Sequence, residues 1–252
     1  MKINKIYKPI TNLEITELRQ ARQVFSDCYL VSTLNSLSRT AEGRKILKTN
    51  ISKRQTGTSA GYKICFQDVY GTPKDVFVTD KEIDNLVDKY FNVVKHDIKK
   101  NKTLKAVEVA MGKLINDHPF LKSIVNRCAF SDEAFEYNTP SRFMKLFTGK
   151  KPIALNEQTL NLTLSSKKEN AAELLKQIAK ADGEQNFIAG TSAFVSHPNI
   201  KNWHCYVLEK VNPDNNAVTV YDTRTTETYT LSFTSFIKSF KYITGFFSKD
   251  LK

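Results

Sequence analysis

Apolar residues recur at helical spacing from Cys28 to about Lys48, through Leu30, Leu34 and Leu37 and then Ile46 and Leu47. Gly43 marks a break inside this run, so it predicts two helices or one kinked helix, with Ser26 and Asp27 as N-cap candidates. Upstream, residues 1–22 read as irregular apart from a short helix over Glu14–Gln20. Residues 53–60 are polar and read as a loop. Tyr62–Gln67 and Val76–Val78 alternate around Gly71-Thr72-Pro73, the pattern of a β-hairpin with Cys65 as a packed strand residue. A helix is expected over Lys81–Val94, then a charged connection over Lys95–Asn101. Thr103 should cap an amphipathic helix whose core-facing stripe is Leu104, Val107, Ala110, Met111 and Leu114, closing at His118-Pro119. Pro140 opens another helix with Phe143, Leu146 and Phe147, and Thr148-Gly149 stops it.

After Lys151-Pro152 the pattern changes. Ile153–Leu164 reads as extended, Ala171–Ala181 as a helix and Asp182-Gly183 as a turn. From Asn186 onward period-2 and short apolar runs dominate: Phe187–Gly190 as a buried strand, Trp203–Leu208, Ala217–Tyr221 after a turn at 212–216, and Thr228–Leu231. Ser232 caps a short helix through Phe240, and Tyr242–Phe247 is a closing strand. The fold class is therefore α+β. Residues 1–150 are expected to form a mainly helical lobe, and residues 151–252 an antiparallel β-rich lobe.

Composition adds limits. With 252 residues, 40% hydrophobic and 25% charged, the chain is long enough for a sizeable core. No apolar run is long enough to span a bilayer, and the N-terminus lacks the apolar core of a signal peptide. A cytoplasmic protein, or one exported without a cleavable signal, is expected. The formal net charge of +12 comes from lysines spread along the chain, the pattern of a solvated surface. No helix-turn-helix, zinc-finger or RNP motif accompanies it, so no nucleic-acid partner is expected; a basic binder of nucleic acid or membrane surface is the alternative without chemistry. The four cysteines are unclustered and include no C-x-x-C pair, which argues for reduced thiols and against a metal site. No cofactor is expected, and the chain should be monomeric.

Cys28 follows two capping residues and begins an apolar helical run. A thiol there faces the positive end of the helix dipole, which favours the nucleophilic thiolate. The alternative is a small buried structural residue. Of the histidines, His204 stands at the start of a strand, and the strand that returns to it ends at Asp222. A hairpin would bring the two side by side, with Asp222 accepting from one imidazole nitrogen and the other facing Cys28. Gln23, just upstream, could donate an N–H to an oxyanion.

The segment Gln23…Asp27-Cys28-Tyr29-Leu30-Val31-Ser32-Thr33-Leu34 resembles the catalytic-cysteine segment of calpain-like proteases, within the papain-like superfamily. Leu104–Asp117, Phe143–Gly149 and Trp203–Phe240 are similar to further stretches of that family, so the likeness runs from about residue 20 to 247. It implies a two-lobed papain-like thiol peptidase acting on protein or peptide substrates. Cys28 is then the nucleophile, His204 the base and acid, Asp222 the orienting group, and Gln23 with the Cys28 backbone N–H the oxyanion hole. The same machinery could transfer or deamidate acyl groups, and an inactive papain-like binding module is a further alternative. Four features depart from the family. Gln23 is one residue closer to the cysteine than usual, Asp222 stands where asparagine is expected, Thr223-Arg224 replace Pro-Trp, and Trp203 and Cys205 flank the histidine where small residues are common. No EF-hand pattern is present.

Overall fold

The computed structural model describes residues 7–23, 27–54, 60–90, 101–118, 140–156, 164–192, 195 and 197–251. They form a mixed α+β fold with two antiparallel sheets. The first sheet has the order β1-β2-β3-β4, from β1 (Tyr7–Pro9), β2 (Ile51–Arg54), β3 (Gly61–Val69) and β4 (Thr72–Thr79). The second has the order β5-β10-β6-β7-β8-β9, from β5 (Ile153–Leu155), β6 (Gln185–Thr191), β7 (Cys205–Asn212), β8 (Ala217–Asp222), β9 (Glu227–Ser232) and β10 (Phe240–Phe247). Around them lie α1 (Asn12–Arg19), α2 (Cys28–Arg39), α3 (Ala41–Asn50), α4 (Asp80–Tyr90), α5 (Lys102–Asp117), α6 (Pro140–Thr148), α7 (Lys168–Lys180) and α8 (Phe233–Ser239).

The β3–β4 hairpin, the helix opening at Pro140 and the Ser232-capped helix form where the sequence pattern places them. Other expectations need correction. Residues 1–6 lie outside the described residues; the stretch after them, expected to be irregular outside the short helix, carries β1, and the helix begins at Asn12 rather than Glu14, with Thr11 and Glu14 forming a capping box at its start. Lys53 and Arg54, expected in a loop, pair instead within β2; 55–59 lie outside the described residues. The break in the first helical run falls at Thr40 and not at Gly43. Thr40 is extended and its Oγ1 accepts from Gly43 N, while Gly43 sits inside α3 because a Cβ there would lie 2.1 Å from the Leu37 carbonyl oxygen. Likewise Asn101, not Thr103, caps α5: its side chain accepts from Leu104 N. Thr103, the second residue of the helix, is buried and donates to Glu14 Oε1 at 3.1 Å. α4 is described to Tyr90, so the expected helix residues 91–94 and most of the charged connection lie outside the described residues. Of Ile153–Leu164, only Ile153–Leu155 is seen as a strand, and 157–163 lie outside the described residues.

Helix α2 is the centre of the packing. Every residue from Tyr29 to Ser38 is buried, so this helix has no solvent face. On one side it joins a core with Ile64 and Phe66 of β3, Val107 and Met111 of α5, and Phe143 and Phe147 of α6. That same core takes in Ile188 and Cys205 of the six-stranded sheet. The neighbours of those two residues, Phe187, Ala189 and Tyr206, point to the opposite face, into a second core closed by Leu175 and Ile178 of α7 and Phe236 of α8. The period-2 alternation of strands thus divides the six-stranded sheet between two cores. It also explains why β6 is buried at every position.

Gly190 of β6 makes a close approach possible. A Cβ there would fall 2.0 Å from Tyr242 Cζ, and the Tyr242 hydroxyl lies 3.2 Å from Cys205 Sγ. Gly190→Ala is expected to displace the Tyr242 ring and to lower stability by about 1–3 kcal/mol, the usual range for overpacking. A urea-denaturation midpoint indistinguishable from wild type would refute this.

Candidate active site

Cys28 is the first residue of α2 and remains partly exposed, unlike the ten residues that follow it. One helical turn later, Ser32 Oγ donates to the Cys205 carbonyl at 3.1 Å in a buried bond, which fastens the start of α2 to the start of β7. His204, immediately before β7, is held by its backbone. His204 N donates to Thr191 Oγ1 at 2.9 Å, and Thr191 N donates to the His204 carbonyl at 2.9 Å. The strand begins at Cys205 and not at Trp203, because Trp203 turns the chain in a left-handed conformation with φ 51° and leaves its indole exposed.

The β7–β8 hairpin pairs Tyr206 with Asp222. This register brings Asp222 Oδ1 to 2.7 Å from His204 Nε2, with the two side chains 1% and 6% exposed. Asp222 Oδ1 also accepts from Arg224 N at 2.7 Å, and its carbonyl accepts from Thr226 N. The edge of the imidazole rests on the Tyr206 ring, with centroids 4.8 Å apart. With Nε2 taken by Asp222, Nδ1 is the nitrogen left for the thiol, and Cys28 and His204 are close enough to shift each other's ionisation. The structure therefore brings Cys28, His204 and Asp222 together in the order read from the sequence.

The electrostatics favour an ion pair. The neighbouring Cys205 and, after it, the charged His204 hold the Cys28 thiol well below its ordinary range against the opposing effect of burial. Cys205, buried beside the histidine, is thus a contributor that the sequence pattern marked only as an unusual neighbour. Burial alone would lower His204, but its hydrogen bonds to Asp222 and Cys28 outweigh burial and raise it to about 9. Asp222 is pushed up by burial and pulled down further by His204 and by backbone N–H groups, so it stays ionised. By contrast, burial and the neighbouring Asp75 push Cys65 up to about 11. Cys128 and His96 lie outside the described residues. The remaining histidines serve elsewhere: His118 meets Lys74 Nζ at 2.9 Å, and His197 Nδ1 accepts from Asn199 N.

Gln23 reaches this site through its backbone. Its N–H donates to the Thr223 carbonyl at 2.8 Å, and Arg22 Nε donates to the Arg224 carbonyl at 2.9 Å. The Thr223-Arg224 pair thus anchors the segment leading to Cys28. Residues 24–26 between them lie outside the described residues.

Among the described residues, no group of three or more His, Cys, Asp or Glu side chains is arranged to hold a metal ion. Among the same residues, no helix is long and apolar enough to cross a membrane. The thiol, imidazole and carboxylate line up for nucleophilic attack on an acyl carbon with proton transfer by the imidazole. A scan against protein-family models and a search of curated proteins each returned no match for this chain.

Proposed function

We propose that this chain is a calpain-like thiol peptidase of papain-like arrangement, in which residues 1–150 carry the nucleophile and 151–252 carry the histidine and its carboxylate partner. The observation that carries this reading is the buried His204–Asp222 pair at 2.7 Å, electrostatically coupled to a thiol at the first position of a buried helix. A structural cysteine needs neither partner.

In this mechanism the Cys28 thiolate attacks the peptide carbonyl carbon, and the carbonyl electron pair moves onto oxygen. The Cys28 backbone N–H and the Gln23 side chain are assigned to that oxyanion. As the C–N bond breaks, the His204 imidazolium gives its proton to the leaving amine and a thioester forms on Cys28. Water then adds to the thioester and loses a proton to His204. Expulsion of the sulfur releases the carboxylic acid and restores the thiolate–imidazolium pair. Asp222 holds the ring in one orientation and stabilises its positive charge throughout.

An electrophilic peptide probe tests the reading. Wild type should label on Cys28 near neutral pH, and mass mapping should show Cys65 unlabelled because its thiol is held protonated. Cys28→Ala should not label and should cleave no casein peptide. A wild type that labels no faster at Cys28 than at Cys65 overturns the assignment.

A further inference from the structure

Asp27, the residue before Cys28, is the N-cap of α2 by position but not by chemistry. Its side chain makes no capping hydrogen bond with the helix N–H groups; only its carbonyl enters the helix, accepting from Leu30 N at 2.8 Å and Val31 N at 3.2 Å. The carboxyl group has no exposed surface. Of the groups around it, the carboxyl group of Glu108 on α5 acts most strongly on its charge, and Lys105 opposes it. Glu108 is itself fully buried and takes both of its oxygens to Lys105 Nζ, at 3.0 and 2.8 Å. Among the described residues, no nitrogen or hydroxyl donor reaches either Asp27 oxygen.

Two carboxyl groups in buried contact with a single lysine hold one negative charge, not two. The charged and titratable groups that face Asp27 are Glu108 and Lys105 from α5 and Cys28 from its own helix, with the His204–Asp222 pair beyond the thiol. Lys105 balances Glu108. A charge on Asp27 would be balanced by nothing and would stand next to the Cys28 sulfur.

We propose that Asp27 is a positioning residue for the Cys28 thiolate: it keeps a proton that it donates to Glu108, so that the helix start beneath the sulfur carries no negative charge. Two effects follow. The positive end of the α2 dipole, uncapped by a carboxylate, stays available to the thiolate. The proton also fixes the Asp27 side chain to α5 and so sets the backbone from which Cys28 projects. The inference rests on the thiol-peptidase reading for its purpose but not for its chemistry, since the protonation can be read without any substrate.

The test is the pH dependence of Cys28 alkylation by iodoacetamide in the full chain, for wild type, Glu108→Gln and Asp27→Asn/Glu108→Gln. In Glu108→Gln the pocket needs one anion to balance Lys105, and Asp27 supplies it. The midpoint for Cys28 should then rise by one pH unit or more. In the double variant position 27 cannot ionise, and the midpoint should return towards wild type. Should the Glu108 variants fail to fold, infrared spectroscopy decides: wild type at pH 7 should show a protonated-carboxyl stretch that Asp27→Asn lacks. An unshifted midpoint in Glu108→Gln, a double variant that stays shifted, or a wild type without the carboxyl stretch overturns the proposal. If peptide cleavage is absent while the midpoints follow the expected order, the peptidase reading fails and this inference stands. If cleavage is present and the midpoints do not move, the reverse holds.

Discussion

His204→Ala is expected to lower kcat/KM for peptide hydrolysis by about 10³- to 10⁴-fold, the upper part of the range for a general acid–base. It should do so chiefly through kcat, because the lost group acts on the leaving amine and on the incoming water, not on the ground-state peptide. The same substitution removes a hydrogen bond and a positive charge that hold the Cys28 thiol low, so alkylation of Cys28 at pH 7 should slow as well. The companion experiment is Asp222→Asn. The amide oxygen can still accept from Nε2, so the ring keeps its orientation, but the charge is gone. His204 stands at about 9 in the wild type because its bonds to Asp222 and Cys28 outweigh burial. Its charged form is therefore populated below that value and lost as pH rises through it. The wild-type pH profile of kcat/KM should fall on its alkaline side near 9, and Asp222→Asn should bring that fall to lower pH. Identical alkaline limbs in the two proteins would show that Asp222 does not sustain the imidazolium charge. A Cys28 variant cannot make this distinction, since it removes both charges of the pair together.

The parts of this site that were legible in the sequence are those set by local rules. Cys28 opens an apolar helical run, and two strands joined by the turn formers of 212–216 put the ends carrying His204 and Asp222 beside each other, whatever surrounds them. The parts that were not legible depend on tertiary contacts. Ser32 donating to Cys205, and Gln23 held by Thr223, join residues far apart in the chain, and neither side chain type announces a partner. The Thr40 break shows a different limit. Glycine is a reasonable place for a helix to stop, but here the absence of a Cβ serves a backbone-to-backbone contact, and a threonine hydroxyl does the stopping. β1 and β2 are only three and four residues long, too short for alternation to stand out; β2 becomes a strand on the edge of β3, and β1 on the edge of β2. The signal for the Asp27 cluster was present in the α5 stripe. Lys105 and Glu108, three residues apart, fall among Leu104, Val107 and Met111 on a helix whose other charges point outward. A charged pair inside an apolar stripe is either an error in the helical phase or a buried ionic contact, and here it is the latter.

Asp27→Asn is expected to make the folded protein more stable at neutral pH. Burial and the adjacent Glu108 carboxylate raise the Asp27 carboxyl well above its ordinary value of 3.8, while Lys105 opposes them. Because the folded value is raised, its contribution to stability is fully present below the unfolded value and is lost as pH climbs towards the folded one. On the proposed assignment the folded chain holds at pH 7 a proton that the unfolded chain has released, and holding it opposes folding more strongly as pH rises. Asparagine has the same shape and can donate to Glu108 without taking up a proton. Its second N–H, buried where no acceptor is provided, offsets about 1–3 kcal/mol of the gain. The net gain should grow with pH through the neutral range and should vanish or reverse by pH 3, where aspartic acid is mostly protonated in both states. Urea denaturation of both proteins from pH 3 to pH 8 measures it directly. The slope of the difference matters more than its size. A difference that widens with pH means that the proton is there, whereas a variant less stable by the same amount at every pH means that Asp27 is ionised and paired. In the first case, the residue next to the nucleophile gives up fold stability to keep a charge away from the sulfur, the kind of cost that belongs to a reactive site and not to a structural cysteine.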